Sequence, residues 1–325
     1  MKTILVSGAS GIVGYGTLRS LKRSGQDLTL IGTSMYTDSV AAGFCDIFEV
    51  ALPTNDDGYM DWLLGVIRAR KVDLIIAGIE IDMYKWVQHI PEIEAAGARV
   101  LMNDLTLVQL CKDKWAFYES IHGAGIACAI DSSLSADFDE LAARFGLPFL
   151  LKPRRGFGSK GIVRVDSRAT FALHQGEMGS VLMAQPIVGN DDEEYTTSAF
   201  CDGQGGLYAC MTLRRKLSRD GFTDKAEVVA SDDFRAAIDA LCQHFKPVGP
   251  TNFQFRRCAD GVKLLEINQR ISSSTSIRTA FGYNESAMAV AYIFDAKAPQ
   301  QPTIRGGKAV RYTDDFIFYD DGIHL

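Results

Sequence analysis

The sequence lacks the features that mark a secreted, membrane-spanning or zinc-binding protein. Its seven cysteines include no CxxC pair, and none of its five histidines has a spacing suited to zinc. Unpatterned cysteines are typical of reduced thiols inside a cell. No apolar run approaches the length of a membrane span, and a strand-like segment begins at the first residue, which leaves no room for a signal peptide. We therefore expect a cytoplasmic protein without a membrane partner.

Positive charge is in slight deficit. The chain has 34 Lys and Arg against 40 Asp and Glu, a net charge of −6. This balance argues against nucleic acid as the main partner, so any anionic ligand must be met by local basic groups. With 325 residues, 47% of them hydrophobic, the chain is long enough for two or three structural units with cores of their own.

The pattern of apolar residues changes twice along the chain. Strand and helix signals alternate over residues 1–105, which predicts a parallel sheet covered by helices. Residues 106–185 combine helices with short antiparallel strands. Residues 186–325 are rich in strands and contain one clear amphipathic helix with Ser231 as its N-cap. We expect an α/β protein that becomes α+β in its C-terminal part.

The stretch TNFQFRRCADGVKLLEINQR, residues 251–270, predicts two strands around a tight turn. If Cys258 pairs with Val262, Gln254 lies opposite Glu266, and Asn268 projects from the same face. Carboxylate and amide oxygens are the ligands that a hard cation such as Mg²⁺ prefers. A half-exposed hairpin whose polar face meets water would explain the same pattern.

The sequence GASGIVGYG, residues 8–16, lies between a predicted strand and a predicted helix. Its glycine spacing is similar to the phosphate turn of nucleotide-sugar epimerases, so an NAD(P)-dependent epimerase or reductase is one alternative. An NAD site normally needs a carboxylate at the end of the second strand, but the first one here is Asp38. The chain also offers no YxxxK pair on a helix. A structural turn, or one that cradles an anionic substrate near Gly11, is favoured.

A second glycine-rich loop occurs in PFLLKPRRGFGSKGIVRV, residues 148–165. It follows a strand that carries Lys152, and it interleaves glycines with basic residues. Glycines let backbone amides approach an anion closely, and the cations supply charge against a polyphosphate. The loop opens into a strand and lacks the Walker pattern. It is a candidate phosphate site, although a solvated basic loop would look the same.

Taken in order, these motifs resemble the ATP-grasp superfamily, in particular the branch of the carbamoyl-phosphate synthase large subunit, biotin carboxylase and D-alanine–D-alanine ligase. The resemblance covers nearly the whole chain. It implies a Rossmann-like pre-domain with a parallel sheet (1–105), a small lid subdomain (106–185) and a mainly antiparallel, metal-binding C-terminal subdomain (186–325).

The resemblance also implies roles for individual residues. Arg270, which follows the E-x-N pair, would stabilise an acyl phosphate or oxyanion, and Arg214 or Lys216 would face the γ-phosphate. Mg²⁺ or Mn²⁺ would be held by Gln254, Glu266 and Asn268. The ATP-binding residues would be Lys114, Lys152, Gly156, Gly158, Ser159, Lys160, Gly161, Gln185, Pro186, Ile187 and Glu194, with Asp192 or Glu193 as alternatives to Glu194.

The function that the resemblance implies is ATP- and Mg²⁺-dependent activation of a small carboxylate as an acyl phosphate, followed by attack of an amine or ammonia. A non-catalytic nucleotide-binding module is a further alternative. The chain has one such unit and no amidotransferase or biotinyl motif, which argues against full carbamoyl-phosphate synthase activity. Members of this family are often dimers, so a homodimer is kept as an expectation. Candidate substrate contacts are Gly11, Glu80, Asp82, Ser272 and Ser273, although Glu80 and Asp82 also suit a solvated helix start and the serines a plain polar loop.

Overall fold

The computed structural model describes residues 1–156, 161–219, 221–320 and 322–324. Its N-terminal part is a parallel sheet with helices on its faces. The strands are β1 (Lys2–Val6), β2 (Leu28–Ser34), β3 (Ile47–Val50), β4 (Leu74–Ile76) and β5 (Arg99–Leu101). The helices are α1 (Ile12–Lys22), α2 (Tyr59–Arg70), α3 (Glu80–Trp86) and α4 (Ile90–Ala95).

The five strands of this sheet lie in the order β3-β2-β1-β4-β5. The central strands β1 and β4 are aliphatic where they pair, and Ile4, Leu5 and Leu74 are fully buried. Strands that are covered on both faces need such continuous apolar runs. The strand order reverses between β1 and β4, and at such a point the carboxyl ends of the strands open toward a ligand. Glu80 lies just beyond the end of β4.

A small antiparallel sheet follows, with the strand order β7-β6-β8. Its core forms where Leu141 of one helix meets Phe149 and Phe171. The helix that begins at Lys114 belongs elsewhere, because its Phe117 and Ile121 pack into the core of the third part of the chain. The elements are α5 (Leu105–Leu110), α6 (Lys114–Gly123), α7 (Phe138–Phe145), β6 (Phe149–Pro153), β7 (Val163–Val165), α8 (Arg168–Ala172) and β8 (Leu182–Pro186).

The third part is built on an antiparallel sheet of six strands. The elements are β9 (Glu194–Asp202), β10 (Leu207–Leu217), β11 (Thr223–Val229), α9 (Asp232–Phe245), β12 (Val248–Cys258), β13 (Gly261–Asn268), α10 (Thr275–Ala280), α11 (Glu285–Asp295), β14 (Lys308–Val310), β15 (Ile317–Tyr319) and β16 (Gly322–His324). The sheet has the order β13-β12-β9-β10-β11-β14, and β15 pairs with β16 as a separate hairpin. The predicted fold class, parallel first and antiparallel later, is confirmed.

The two faces of the six-stranded sheet are covered differently. Phe234, Ile238 and Leu241 of α9 pack on the outer face. Ser231 stands at the N-cap position of α9 as predicted, but its hydroxyl bonds to Thr212 instead of capping the helix. The inner face meets α10 and α11, where Arg278 and Glu285 form a fully buried ion pair. The polar part of this inner face is not covered by these helices and lines the cleft described below. No helix among the described residues has the length and apolar composition needed to cross a membrane.

The glycine turn that follows β1 is closely packed. A Cβ atom on Gly14 would lie 2.6 Å from the carbonyl oxygen of Gly8, and one on Gly78 would lie 2.1 Å from that of Ser7. Both distances are far below van der Waals contact and involve backbone atoms, which cannot turn aside. These glycines therefore allow the start of α1 to pack against the connection between β4 and α3.

We predict that Gly78→Ala lowers the free energy of unfolding by about 3 kcal/mol, because the added methyl group overpacks two backbone segments. Gly65→Ala is the matched control, since a Cβ atom there meets nothing within 4 Å in the interior of α2. That change should raise stability by about 0.5–1 kcal/mol. Urea denaturation of both variants measures the difference, and equal effects would contradict this account of the turn.

Candidate active site

A cleft of about 570 Å³ lies between the small sheet, α6 and the inner face of the six-stranded sheet. It collects residues that are far apart in the sequence, from the end of β4 to the end of β13. The predicted residues that line it are Glu80, Lys114, Lys152, Gly156, Gln185, Pro186, Ile187, Glu194, Gln254, Glu266 and Asn268.

The β12–β13 hairpin brings Gln254 opposite Glu266, as predicted, although by a different register at the turn. Cys258 pairs with Gly261, so the expected pairing of Cys258 with Val262 is wrong by one residue. A β-bulge at Leu265 adds one residue to β13 and restores the alignment. The bulge leaves Leu265 without a register partner in β12.

The three oxygen-bearing side chains of this hairpin are neighbours. Asn268 Nδ2 donates a hydrogen bond to Glu266 Oε1 at 3.3 Å, and Gln254 Oε1 accepts one from Arg215. Among the described residues, no group of three His, Cys, Asp or Glu could hold a metal ion. A cation here would therefore depend on the two amide oxygens as well as on one carboxylate. This mixed oxygen set, with places left for phosphate and water, fits Mg²⁺.

Lys152 projects from β6 into the cleft and has no hydrogen bond or ion pair with the residues that the structure describes. Burial disfavours its charged form and lowers the pKa of its ammonium to about 8, while the carboxylate of Glu266 opposes this shift. Lys114 stands at the start of α6, and its Nζ donates to the carbonyl oxygen of Gly156 at 2.8 Å. Burial also lowers the pKa of Lys114. Among the described residues, neither amine forms an ion pair with a carboxylate, so both contribute positive charge to the cleft.

The base of the glycine-rich loop is tied to the start of α6. Asp113 caps this helix through the backbone amides of Trp115 and Ala116, and its other oxygen accepts from Arg154 at 2.8 Å. Arg155 lies 3.1 Å from the same carboxylate. The predicted loop residues Gly158, Ser159 and Lys160 lie outside the described residues. Gly156 and Gly161 flank them with φ angles of +125° and +73°, a region that favours glycine.

Of the three consecutive acids at residues 192–194, Glu194 faces the cleft. Its carboxylate is buried and accepts from Arg215 at 2.9 Å and from Arg256 at 3.1 Å. Asp192 pairs with Lys216 on the surface, and Glu193 accepts from the hydroxyl of Tyr195. The alternatives Asp192 and Glu193 are therefore not placed to reach a ligand in the cleft.

The structure corrects the choice of a cation from the sequence Arg214-Arg215-Lys216. Arg214 and Lys216 project from the opposite face of β10, where Arg214 pairs with Glu227. Arg215 points inward and is only 5% exposed. The strand alternation could have revealed this, because Arg215 shares its face with the apolar Leu213 and Leu217. Arg256, which also binds Glu194, was missed although it shares its face of β12 with Gln254.

The predicted substrate residues are mostly not brought to the cleft. Glu80 lines it and binds Arg270 at 2.8 Å. Asp82 is buried in the N-terminal domain, where it accepts from Thr54 and Tyr59 and where burial raises its pKa. It therefore neither faces a substrate nor forms a solvated helix start. Gly11 directly precedes α1. Ser272 Oγ accepts a hydrogen bond from Arg278, and the carbonyl oxygen of Ser273 accepts one from Arg311.

Comparison with known proteins agrees with this geometry. A family model described as ATP-grasp in the biosynthetic pathway with Ter operon matches residues 181–316. Among solved structures, N5-carboxyaminoimidazole synthetase from Staphylococcus aureus is similar with a TM-score of 0.73 and 15% identity, over 93% of this chain and 80% of that one. A biotin carboxylase complex with β,γ-ATP from Campylobacter jejuni gives 0.73 and 14%, over 94% and 74%. No curated protein matches the chain.

The chain therefore has the ATP-grasp fold, and its residues 181–316 match an ATP-grasp family model. The predicted resemblance is confirmed at this level. The comparisons give no support to the alternative of an NAD(P)-dependent epimerase or reductase.

We predict that Lys152→Met stabilises the protein at pH 7 by on the order of 1–3 kcal/mol, because the wild type must keep a desolvated ammonium that has no partner among the described residues. The folded pKa of about 8 lies below the unfolded value near 10.4, so between these values the unfolded chain binds more protons. The free energy of unfolding of the wild type should therefore rise across this window, and the advantage of the variant should shrink.

Denaturation at pH 7.5 and pH 9.5 measures this change. Lys225→Met, on the exposed surface of β11, is the matched control and should show no such convergence. A constant difference between Lys152→Met and wild type across the two pH values would contradict the assignment.

Proposed function

We propose that this protein is an ATP- and Mg²⁺-dependent ligase that activates a carboxylate as an acyl phosphate for attack by an amine or ammonia. One observation carries the proposal. The ammonium of Lys152, which has no partner among the described residues, faces the same cleft as the oxygens of Glu266 and Asn268. A polyphosphate bound with a divalent cation would satisfy both groups at once, because the phosphates meet the amine and the cation meets the oxygens.

The cleft offers a place for each part of the nucleotide. Lys114, Lys152 and the loop at residues 156–161 would bind the phosphates, and the connection at residues 185–187 would bind the base. Glu194 would meet the ribose hydroxyls. The structural relatives support this arrangement, since one synthetase structure from Staphylococcus aureus is described as complexed with ADP.

Gln254, Glu266 and Asn268 would hold Mg²⁺ or Mn²⁺. Bound there, the ion would neutralise charge on the phosphate oxygens and orient them. Arg215 now donates to Gln254 Oε1, so its guanidinium must release this oxygen when the cation binds. The released N–H groups would then be free for the nucleotide, which makes Arg215 the basic residue expected at the γ-phosphate.

A carboxylate is a poor electrophile because its carbon is electron-rich and it has no good leaving group. Transfer of the γ-phosphoryl group to one of its oxygens breaks the bond to ADP and forms an acyl phosphate. The nitrogen nucleophile then forms the C–N bond, loses its proton and expels phosphate. The protein supplies mainly position and charge for these steps. Arg270 would stabilise the oxyanion, and Glu80 beside it would meet an amino group.

The proposed function implies a domain organisation, a location and an oligomeric state for the whole chain. We propose a pre-domain at residues 1–105, a lid subdomain at 106–185 and a metal-binding subdomain at 186–325, in a cytoplasmic protein that acts on small molecules and forms a homodimer. Closure of the loop at 156–161 would exclude water from the acyl phosphate, which hydrolyses readily.

The decisive experiment is phosphate release from MgATP with a panel of acids and amines. The panel should include bicarbonate, because a relative from Hydrogenobacter thermophilus is described as a complex with MgADP and bicarbonate. We predict that release depends on one acid and that Glu266→Ala lowers it by at least about a hundredfold, because the metal loses its only carboxylate. Glu227→Ala, at an exposed ion pair on β11, should leave it unchanged.

The possible results of this experiment distinguish a ligase from a non-catalytic nucleotide-binding module. Acid-dependent release that Glu266→Ala does not affect would contradict the metal assignment. Binding of ATP without release for any pair in the panel would favour a non-catalytic nucleotide-binding module. A chain that does not bind ATP at all would overturn the proposal.

We further predict that substitution of two neighbouring arginines changes kcat to very different extents. Arg215→Met should lower kcat by about tenfold to a hundredfold, because a charge aimed at the phosphates is lost. Arg214→Met removes the same charge from the other face of β10 and should change kcat less than about twofold, as expected for an exposed ion pair. Steady-state kinetics of the two variants test this, and a larger effect at Arg214 would reverse the correction made from the structure.

A further inference from the structure

Ser132 lies behind Gln185 in a directional chain of hydrogen bonds. Gln185 Nε2 donates to Ser132 Oγ at 2.8 Å, and Ser132 Oγ donates to the carbonyl oxygen of Ile130 at 3.0 Å. A serine hydroxyl has one proton, which here is used on the carbonyl group. Ser132 can therefore only accept from Gln185, so the end of the amide that faces it must be the nitrogen.

The reverse orientation of the amide is unfavourable. Gln185 Oε1 would then face an oxygen whose proton is already shared with Ile130. If the hydroxyl turned to serve Gln185, the carbonyl of Ile130 would lose the hydrogen bond it receives from Ser132. Ser132 is only 1% exposed, so water cannot readily replace the missing partner. A buried carbonyl without a donor is destabilising, which keeps the amide in one orientation.

Gln185 lies near the end of β8 in the small sheet and lines the cleft. Its Oε1 accepts no hydrogen bond from the residues that the structure describes, although Nε2 is occupied. Ile130, Leu150 and Leu264 line the same cleft with apolar groups. Apolar walls suit the faces of a flat base and offer no polar atom to its edge. The free Oε1 is therefore an acceptor available to read that edge.

We propose that Ser132 makes the site selective for adenine over 6-oxopurines by holding the acceptor end of Gln185 toward the base. The exocyclic 6-amino group of adenine is a donor and matches Oε1. Hypoxanthine and guanine present a 6-oxo acceptor there, which Oε1 repels. This inference rests on the proposed function, since it places the base of the nucleotide at residues 185–187. Ser132 is a positioning residue, because it acts on the base only through Gln185.

The arrangement also explains why a glutamine needs a second residue. A carboxylate at position 185 would present an acceptor in either orientation. An amide has a donor end and an acceptor end of nearly the same shape, so its selectivity depends on a neighbour that distinguishes them. Ser132 distinguishes them only because its own proton is held by Ile130.

The test compares the affinities of the full chain for MgATP and MgITP by calorimetry, without any carboxylate substrate. ITP differs from ATP only in the 6-oxo group that replaces the 6-amino group and in the proton that N1 then carries. We expect the wild type to prefer ATP, and Ser132→Ala to lower the ratio of affinities by about tenfold, because the freed amide can turn to suit either base. The thermal transition of the variant establishes that it remains folded.

Two further variants isolate the role of orientation. Ser132→Ala combined with Gln185→Glu should restore the preference for ATP, because a carboxylate needs no orienting partner. Ser133→Ala is the matched control: Ser133 is also buried, its hydroxyl accepts from the amide of Ser135, and the ratio should stay at the wild-type value.

An unchanged ratio in Ser132→Ala, or a double variant that stays unselective, would overturn this inference while leaving the proposed function in place. Equal affinity of the wild type for ATP and ITP would overturn it as well. Failure of the wild type to bind either nucleotide would instead overturn the proposed function on which it rests.

Discussion

The cleft depends on one buried cluster, in which the carboxylate of Glu194 is held between the guanidinium groups of Arg215 and Arg256. Charges buried in this way are tolerated only when they are paired and hydrogen-bonded. Arg215 also reaches Gln254, so a single side chain connects three neighbouring strands of the sheet. A chain with a net charge of −6 thereby keeps a local excess of positive charge where an anionic ligand would bind.

Much of this could be predicted from local patterns. The alternation of strands and helices predicted the parallel sheet, because each element must bury an apolar face against the next. Gln254 and Glu266 were correctly predicted to lie opposite each other from the hairpin register, and Asn268 was placed on the same face because it is two residues beyond Glu266. The same rule was applied incompletely to Arg214-Arg215-Lys216, where the apolar neighbours Leu213 and Leu217 already marked the inward face.

Other features depend on contacts that no local pattern contains. The bulge at Leu265 compensates for a turn one residue shorter than expected, and neither could be read from composition. Asp82 looked like a ligand at the end of β4, but Thr54 and Tyr59 reach it from distant parts of the chain. The core that α6 joins could not be read from its sequence, because only the folded chain shows that Phe117 packs with residues of the six-stranded sheet and α9.

Helix α6 has a mechanical consequence. Its body is packed on the large sheet, whereas its first turn is bound through Asp113 to Arg154 at the end of the small sheet. Asp113 therefore links the two sheets through one carboxylate. A change at this side chain would disturb both the start of α6, which carries Lys114, and the end of β6, which carries Lys152.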